Sequence, residues 1–200
     1  MKVKILDITQ DPLFNISMAA RRCYDSRSKD TVDNRKDFVK GIIKSGHTSM
    51  LEMAHVIFDV EGVSRSCLAQ VSRHRIGVTL AVQSQRYVNQ QDNKFVFPPE
   101  LEYNKFDDEK NLIFENAIQN ARAAYRDLLS LGVKKEDARF VLPEATSTNF
   151  TICFNFRSLR HFLELRLSSH AQWEVRKLAQ EFKRLIMEKG LGCLVEDIKG

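Results

Sequence analysis

Residues 108–131 carry apolar side chains that recur every three or four positions, and this spacing most constrains how the chain folds. A helix with 3.6 residues per turn gathers such positions into one stripe, whereas a strand would scatter them over both faces. The spacing therefore predicts a long helix that ends at Gly132. Its apolar positions are Leu112, Ile113, Ala117, Ala121, Ala124, Leu128 and Leu129.

Shorter segments of two different periods surround this helix. Alternating or β-branched segments predict strands over 2–8, 55–60 and 148–154, while residues 76–88 fit either a strand or a loop. Helical spacing predicts further helices over 13–27, 35–45, 64–73, 134–142, 157–169 and 172–188. Because helices dominate and the few strands do not repeat, the sequence indicates an α+β or mixed α/β fold in one domain, residues 1–200.

The charge balance favours anionic partners. The 31 basic and 26 acidic residues give a net charge of +5, which suits phosphorylated ligands without requiring a nucleic acid. The four cysteines show neither a C-x-x-C pair nor zinc-ligand spacing, as in proteins of a reduced cytosol. No apolar run approaches the roughly 20 residues that cross a bilayer, and no apolar leader core follows Met1. We expect a cytoplasmic protein with no membrane partner.

The densest polar cluster is Arg73-His74-Arg75, followed by Gln83-Ser84-Gln85-Arg86-Tyr87. Arginine presents a planar fork of donors and stays charged at physiological pH, so two arginines around a histidine suit a phosphate or another dianion. Neighbouring amides and hydroxyls can read a base edge or hold a phosphate oxygen. The alternative is a solvated basic turn, which by itself contributes little.

A second cluster, Gly46-His47-Thr48-Ser49, precedes Glu52 and His55. Thr48 or Ser49 would cap a helix, with Glu52 as the partner of Ser49 in a capping box. This structural role does not exclude a ligand, because the N-terminus of a helix also attracts anions.

The third cluster lies in the predicted helix 157–169 and just beyond it. Arg157 and His161 are four residues apart and share one face, and so are Arg166 and His170. At 100° per residue the two pairs point in nearly opposite directions, so a straight helix would not aim all four at one ligand. The alternative is a surface helix whose arginines extend along its apolar side.

Other common sites find little support. No histidine or cysteine group has metal-ligand spacing, so we expect no metal. Ser84 has no base assigned beside it, which makes it a poor nucleophile. Neither G-x-G-x-x-G nor a Walker A sequence occurs, so no Rossmann or P-loop nucleotide site is indicated.

Five ordered segments resemble the flavin-dependent thymidylate synthases, the ThyX family. The family signature is Arg-His-Arg followed by seven or eight residues and a serine, and here eight residues separate Arg75 from Ser84. The other segments are Ala19-Ala20-Arg21 with Cys23-Tyr24, Gly46-His47 with Ser49 and Glu52, Ala138-Arg139-Phe140-Val141-Leu142-Pro143, and Asn155-Phe156-Arg157-Ser158-Leu159 with Arg166 and His170-Ala171-Gln172-Trp173-Glu174. The resemblance implies a ThyX-like single domain with a small central sheet flanked by helices.

The resemblance also implies the reaction. Family members methylate deoxyuridine monophosphate (dUMP) to thymidine monophosphate (dTMP), with methylene-tetrahydrofolate as carbon donor and FAD carrying hydride from NADPH. By resemblance, FAD is held by Ser49, Glu52, Arg73, His74, Arg75, Asn155, Arg157 and His161, with His47 and His170 near it. The nucleotide is bound by Gln70, Arg73, Ser84, Gln85, Arg86, Arg139 and Arg166, with Gln83 in the same loop.

Arg166 is the catalytic residue that this resemblance implies. Its positive charge against the uracil would stabilise negative charge at N3 and the flanking carbonyls, which makes C5 a better nucleophile. Hydride then comes from reduced flavin without a protein nucleophile, and Ser84 is a binding residue. The family forms homotetramers that share active sites between subunits, and opposed faces of the helix over 157–170 would suit such sharing.

Two other classes of protein remain as alternatives. A net charge of +5 and Arg-His-Arg are also compatible with a small basic nucleic-acid-binding protein, although acidic residues interrupt the basic ones and no binding module is visible. A hydrolase that uses the histidines, with or without a metal, would need carboxylate–histidine pairs that the spacing does not supply.

Overall fold

Four strands form one antiparallel sheet in the order β1-β2-β4-β3. They are β1 (Lys2–Ile8), β2 (His55–Ser64), β3 (Val78–Val82) and β4 (Ser147–Asn155). Val56, Phe58 and Val60 alternate along β2 and are fully buried, as their period-2 spacing predicts. The three predicted strands are confirmed, and β3 shows that the ambiguous stretch contains a strand.

Seven α-helices occur in the part of the chain that the computed structural model describes, residues 1–101 and 108–200. The helices predicted from apolar spacing are present, with ends that differ by up to a few residues. The largest differences are at the C-terminal ends of α1 and α5, which stop short of the predicted residues 27 and 142, and α6 also ends before the predicted residue 169. The helices are α1 (Pro12–Cys23), α2 (Val32–Lys44), α3 (Arg65–Val71), α4 (Glu109–Ser130), α5 (Lys135–Ala138), α6 (Phe156–Arg166) and α7 (Trp173–Glu188).

The described chain divides into two compact units. The larger unit comprises residues 2–60, 70–81 and 150–200, and the smaller unit comprises Met1, 61–69 and 82–149 apart from the undescribed residues. Fold class is confirmed as mixed helix and sheet, whereas the prediction of one domain over residues 1–200 stays a prediction.

The core of the larger unit is built from aromatic rings on β2, β4, α6 and α7. Phe58 and Phe182 stack with their centroids 4.2 Å apart, and Phe162 lies 5.3 Å from Phe154 and 5.7 Å from Phe182. All four side chains are fully buried. Because such pairs add to the free energy of burial, α6 is held firmly on this core.

A buried ionic network joins α1 to α2 in the same unit. Asp30 accepts hydrogen bonds from Arg35 at 2.8 Å and 3.2 Å and from the Ser17 hydroxyl at 2.5 Å. The Arg21 guanidinium lies 3.4 Å from Asp30 and over the Phe38 ring. The hydrogen bond from Arg35 lowers the pKa of Asp30 below its usual range. The negative charge of the buried Asp30 carboxylate is therefore balanced by arginine side chains.

The smaller unit is organised by α4. Tyr125 of α4 is fully buried, and its hydroxyl oxygen accepts from the Gln90 backbone N–H at 3.3 Å. Arg122 donates to the Asn93 carbonyl at 3.1 Å and lies over the Phe95 ring. The Tyr125 face of α4 therefore packs on the segment that follows Ser84, whereas Leu112 and Ile113 of the predicted apolar stripe are exposed.

Candidate active site

A cavity of about 980 Å³ opens in the larger unit, where three segments of chain meet. The 3-10 helix Thr48–Met53 forms one wall, the loop that follows α3 forms a second, and α6 with the end of β4 forms the third. The volume is at the upper end of the range of about 300–1,000 Å³ for ligand sites. The lining residues are Thr48, Glu52, Arg73, His74, Arg75, Ile76, Val78, Asn155, Arg157, Ser158, Arg160, His161, Glu164, Leu165 and Arg166.

His74 occupies the centre of the second wall. Its backbone N–H donates to the Val71 carbonyl at 3.1 Å, which turns the chain back at the end of α3. Its ring lies edge-on to Phe162 with centroids 4.8 Å apart and is 6.0 Å from the His161 ring. The alternative of a solvated basic turn is therefore wrong for His74, which packs against other rings. Arg73 and Arg75 beside it are exposed.

Burial is the main cause that lowers the pKa of His74, to about 4, and the positive charges of Arg166, His161 and Arg73 act in the same direction. The imidazole is accordingly neutral at pH 7. Arg166 Nε donates a hydrogen bond to His74 Nε2 at 3.0 Å, which is possible because this nitrogen keeps its lone pair.

Arg166 is the last residue of α6, and its guanidinium reaches back to the segment around α3. Besides the bond to His74, Nη2 donates to the Gln70 carbonyl oxygen at 3.2 Å. Two acceptors on one segment fix the plane of the guanidinium at the cavity wall, since its donors form a rigid fork.

The predicted shared face of Arg157 and His161 agrees with the structure, but the predicted opposite placement of Arg166 is wrong. Arg157, His161 and Arg166 all line the one cavity, because the long Arg166 side chain extends around the helix end. His170 lies beyond the end of α6, where its N–H donates to Ser168 Oγ at 3.3 Å. It is outside the lining of this cavity, so the helical relation predicted between Arg166 and His170 does not hold.

Gly77 permits the close contact between the Arg-His-Arg loop and α6. Its φ is +66°, and a Cβ there would overlap the side chains of Asn155 and Ser158. Asn155 caps α6 by accepting from the Ser158 N–H at 2.8 Å, and Ser158 Oγ donates to the Ile76 carbonyl at 2.6 Å. Sequence reasoning gave neither Gly77 nor Ser158 a role. The signals were a lone glycine two residues after Arg75 and the place of Ser158 in the segment Asn155-Phe156-Arg157-Ser158-Leu159.

Glu52 forms an ion pair rather than a capping box. Its carboxylate accepts from Arg157 Nη1 at 2.6 Å, while the residue that caps this 3-10 helix is His47, which makes no side-chain capping bond. The capping prediction for Thr48, Ser49 and Glu52 is therefore wrong. Glu52 and Arg157 instead bridge two walls of the cavity.

A second cavity of about 590 Å³ lies behind the same 3-10 helix and is lined by His47 and Ser49. It shares Thr48 and Arg157 with the larger cavity. Gly46, at φ +77°, ends α2 in a left-handed turn in which the His47 N–H donates to the Ile42 carbonyl at 3.1 Å. That turn directs residues 47–49 between the two cavities.

Two of the predicted residues of the smaller unit, Arg86 and Arg139, contact Glu136. Arg86 Nε lies 2.9 Å from the Glu136 carboxylate, and Arg139 Nε donates to the Glu136 carbonyl at 3.0 Å. Ser84 Oγ accepts from the Arg86 N–H at 3.2 Å. The Gln83 N–H donates to the Asn149 carbonyl, which fixes the start of the loop that includes Gln85.

Arg65 joins this group of cations and was missed by sequence reasoning. Nη1 lies 3.5 Å from Thr148 Oγ1. Burial lowers the pKa of Arg65, and the positive charge of Arg139 lowers it further. Like charges brought together in this way favour an anionic ligand. The sequence carried no signal beyond its place in a predicted helix.

Neither a metal-ligand group nor a membrane-spanning helix is found in the described chain. Among residues 1–101 and 108–200, no three His, Cys, Asp or Glu side chains group as metal ligands. Within the same residues no helix has the length and apolar character to cross a bilayer.

Comparison with known sequences identifies close relatives. Residues 4–189 match the family model described as thymidylate synthase complementing protein. The flavin-dependent thymidylate synthase of Geobacter sulfurreducens is 39% identical, with 97% of this chain and 89% of the relative covered. The corresponding protein of Haloarcula marismortui is 35% identical, with 92% and 90% covered.

Solved structures give the same relation. Thymidylate synthase X of Helicobacter pylori, determined with FAD and dUMP, superimposes with a TM-score of 0.81 at 26% sequence identity. A second structure of that protein with FAD and dUMP has the same TM-score at 27% identity. All of both chains is covered in each comparison.

Proposed function

The chain belongs to the flavin-dependent thymidylate synthase family, and from that premise we propose that it converts dUMP to dTMP by reductive methylation. Methylene-tetrahydrofolate is the carbon donor, NADPH is the reductant, and FAD transfers the hydride. The observation that carries the proposal is the cavity of about 980 Å³ in which Arg166 is fixed by His74 and Gln70.

The lining of this cavity fits FAD. Arg73, Arg75 and Arg157 supply guanidinium forks for a pyrophosphate, and the Asn155 amide and His161 supply further polar contacts for a planar ring system. We assign cofactor binding to these residues together with His47, Ser49, Glu52, His74 and His170. When bound, FAD supplies hydride chemistry that no side chain offers.

For the nucleotide we assign Gln70, Arg73, Gln83, Ser84, Gln85, Arg86, Arg139 and Arg166. Arg65 joins them because it carries positive charge beside Arg139. Ser84 is a binding residue in this proposal, since its Oγ already accepts from the Arg86 N–H, and a serine nucleophile needs an adjacent base.

Arg166 has the catalytic role. A fixed guanidinium at the edge of the uracil stabilises negative charge on N3 and its flanking carbonyls, which increases the nucleophilicity of C5. The activation then needs no thiol addition to the ring. In agreement, the described residues that line the Arg166 cavity include no cysteine.

The assembly and location follow from the same resemblance. We propose a cytoplasmic homotetramer in which subunits share active sites. Light scattering measures the assembly. Mixing two inactive variants, Arg166→Ala and Arg139→Ala, tests sharing, because restored activity in the mixture requires that one site draws on two chains.

The first experiment is an absorbance spectrum of the purified protein, before and after FAD and then dUMP are added. We expect a flavin band that shifts when dUMP binds, since both ligands would occupy one site. Formation of dTMP with methylene-tetrahydrofolate and NADPH is then measured directly. Failure to take up FAD at saturating concentration would contradict the proposed function.

A further inference from the structure

The orientation of Arg166 depends on a hydrogen bond between two side chains that the sequence separates by 92 residues. The last turn of α6 sets the position of the Arg166 backbone, but the guanidinium is directed by acceptors on the α3 side. These are the Gln70 carbonyl oxygen at 3.2 Å and His74 Nε2 at 3.0 Å. The Gln70 acceptor is a backbone carbonyl, which a substitution does not remove. The His74 acceptor is a side-chain atom, which a substitution can remove.

His74 is itself held firmly enough to direct another side chain. Its backbone N–H is bonded to the Val71 carbonyl, and its ring packs edge-on against Phe162, which is fully buried. The ring therefore presents Nε2 from a fixed position. An acceptor on a mobile side chain would lose more conformational entropy when it formed the same bond.

The bond requires a particular protonation state. Arg166 Nε always carries its hydrogen, so His74 must accept at Nε2 and carry its own proton, when neutral, at Nδ1. The charged groups that face the ring are Arg166 and His161 from α6 and Arg73 from its own loop, and all three oppose a positive imidazole. The surroundings thus favour the state that the bond needs.

We propose that His74 is a positioning residue for Arg166, which holds the guanidinium in the orientation that stabilises charge on the pyrimidine ring. This inference rests on the proposed function for its effect on turnover, whereas the hydrogen bond itself exists independently of that function. This task is additional to the contact with FAD that the proposed function assigns to His74.

A matched pair of variants separates positioning from packing and from cofactor contact. His74→Gln keeps an acceptor near the place of Nε2, whereas His74→Phe keeps the ring against Phe162 but removes the acceptor. We expect His74→Phe to lower kcat by about tenfold to a hundredfold, as a misplaced catalytic group does. At saturating FAD we expect His74→Gln to have a clearly higher kcat than His74→Phe. His55→Phe, which removes an exposed histidine elsewhere, serves as the control.

A double-mutant cycle gives the decisive comparison. If His74 acts through Arg166, then His74→Phe should reduce kcat much less in the Arg166→Ala protein than in the wild type. Equal reductions in the two backgrounds would overturn the proposal. So would equal kcat values for His74→Gln and His74→Phe at saturating FAD, because the acceptor at Nε2 would then play no part.

A spectroscopic measurement on the wild-type holoenzyme does not depend on turnover or on the folding of a variant. In ¹⁵N NMR of histidine-labelled protein, we expect His74 to be the Nδ1–H tautomer with Nε2 unprotonated at pH 6, where an ordinary histidine is largely charged. An Nε2 that carries a proton would overturn the proposal. If the enzyme made no dTMP but this tautomer were observed, the proposed function would fail while the hydrogen bond stood.

Discussion

Arg166 and His74 show how a few bonds decide the chemistry of individual residues in this molecule. An arginine side chain at the end of a helix is flexible, but here two acceptors fix the Arg166 guanidinium. The histidine that accepts from it is kept neutral mainly by burial. Charge and orientation are therefore set together, at one point of the cavity wall.

Replacing Arg166 by alanine should nearly abolish methyl transfer without unfolding the protein. Loss of one donor that stabilises transition-state charge typically costs about 2.7–4 kcal/mol, or about 10²–10³ in kcat. Turnover of dUMP and the thermal midpoint of unfolding are the two measurements. Arg184→Ala, which removes an exposed arginine of α7, is the control that should keep full activity. Near-normal turnover of Arg166→Ala would refute the catalytic assignment.

The low pKa of His74 predicts how stability depends on pH. The folded protein leaves this ring neutral down to about pH 4, while the unfolded chain takes up a proton near pH 6.5. Because the unfolded state then binds more protons, stability should fall as pH decreases from about 6.5 to about 4. Denaturant unfolding of wild type and His74→Gln across that interval tests this, and the variant should show a smaller slope. Equal slopes would mean that His74 titrates normally.

At the scale of elements, the active-site wall depends on how closely one loop approaches one helix. Gly77 follows the Arg-His-Arg segment with φ +66° and lies directly against the first turn of α6. In that turn, Asn155 accepts a hydrogen bond from the Ser158 N–H, and Ser158 Oγ donates to the Ile76 carbonyl. The loop and the helix that carries Arg166 therefore form one wall.

Gly77→Ala should weaken both stability and FAD binding. A left-handed residue with a side chain costs about 1–2 kcal/mol, and overlap with Asn155 and Ser158 adds about 1–3 kcal/mol. Gly190→Ala is the matched control, because Gly190 has φ +75° but open space around its Cβ position. Urea unfolding measures the first effect and flavin titration the second. If the two variants lost equal stability, close packing at Gly77 would play no part.

At the scale of the whole molecule, the C-terminal segment is tied to the helix that lines the cavity. Arg160 of α6 is buried, and its guanidinium donates to both carboxylate oxygens of Asp197 at 2.7 Å and to the Leu194 carbonyl at 2.7 Å. Arg160 therefore has a structural role even though it lines the cavity. The hydrogen bond from Arg160 lowers the pKa of Asp197.

Asp197→Ala should destabilise the protein by about 1–3 kcal/mol, because it removes a charged hydrogen-bond partner from a buried guanidinium. Glu196→Ala is the control in the same segment. Its carboxylate pairs with Lys40 at the surface, and such pairs contribute about 0–1 kcal/mol. Chemical denaturation of the two variants gives the comparison. A Glu196→Ala effect as large as that of Asp197→Ala would show that the bidentate bond to Arg160 does not anchor the segment.

Sequence patterns were sufficient where a local rule operates. The alternation of Val56, Phe58 and Val60 identified a strand, because that period reflects which side chains face the core. Apolar spacing identified the long helix α4 but not its buried face, since Leu112 and Ile113 are exposed. The ordered motifs identified the family. By contrast, the ends of α1, α5 and α6 were misjudged because a helix end depends on cap bonds and packing that spacing does not encode.

The site required the tertiary structure for a different reason. The site depends on contacts between residues far apart in the sequence. Arg166 donates to His74, Glu52 pairs with Arg157, and Gly77 lies against Ser158. No periodicity records such distances. The sequence by itself determined the fold class, the family and which residue types are available for chemistry, because these depend on local pattern and motif order. Only the folded chain decided which of those residues meet and which protonation state each holds, because both depend on burial and on neighbours brought together in space.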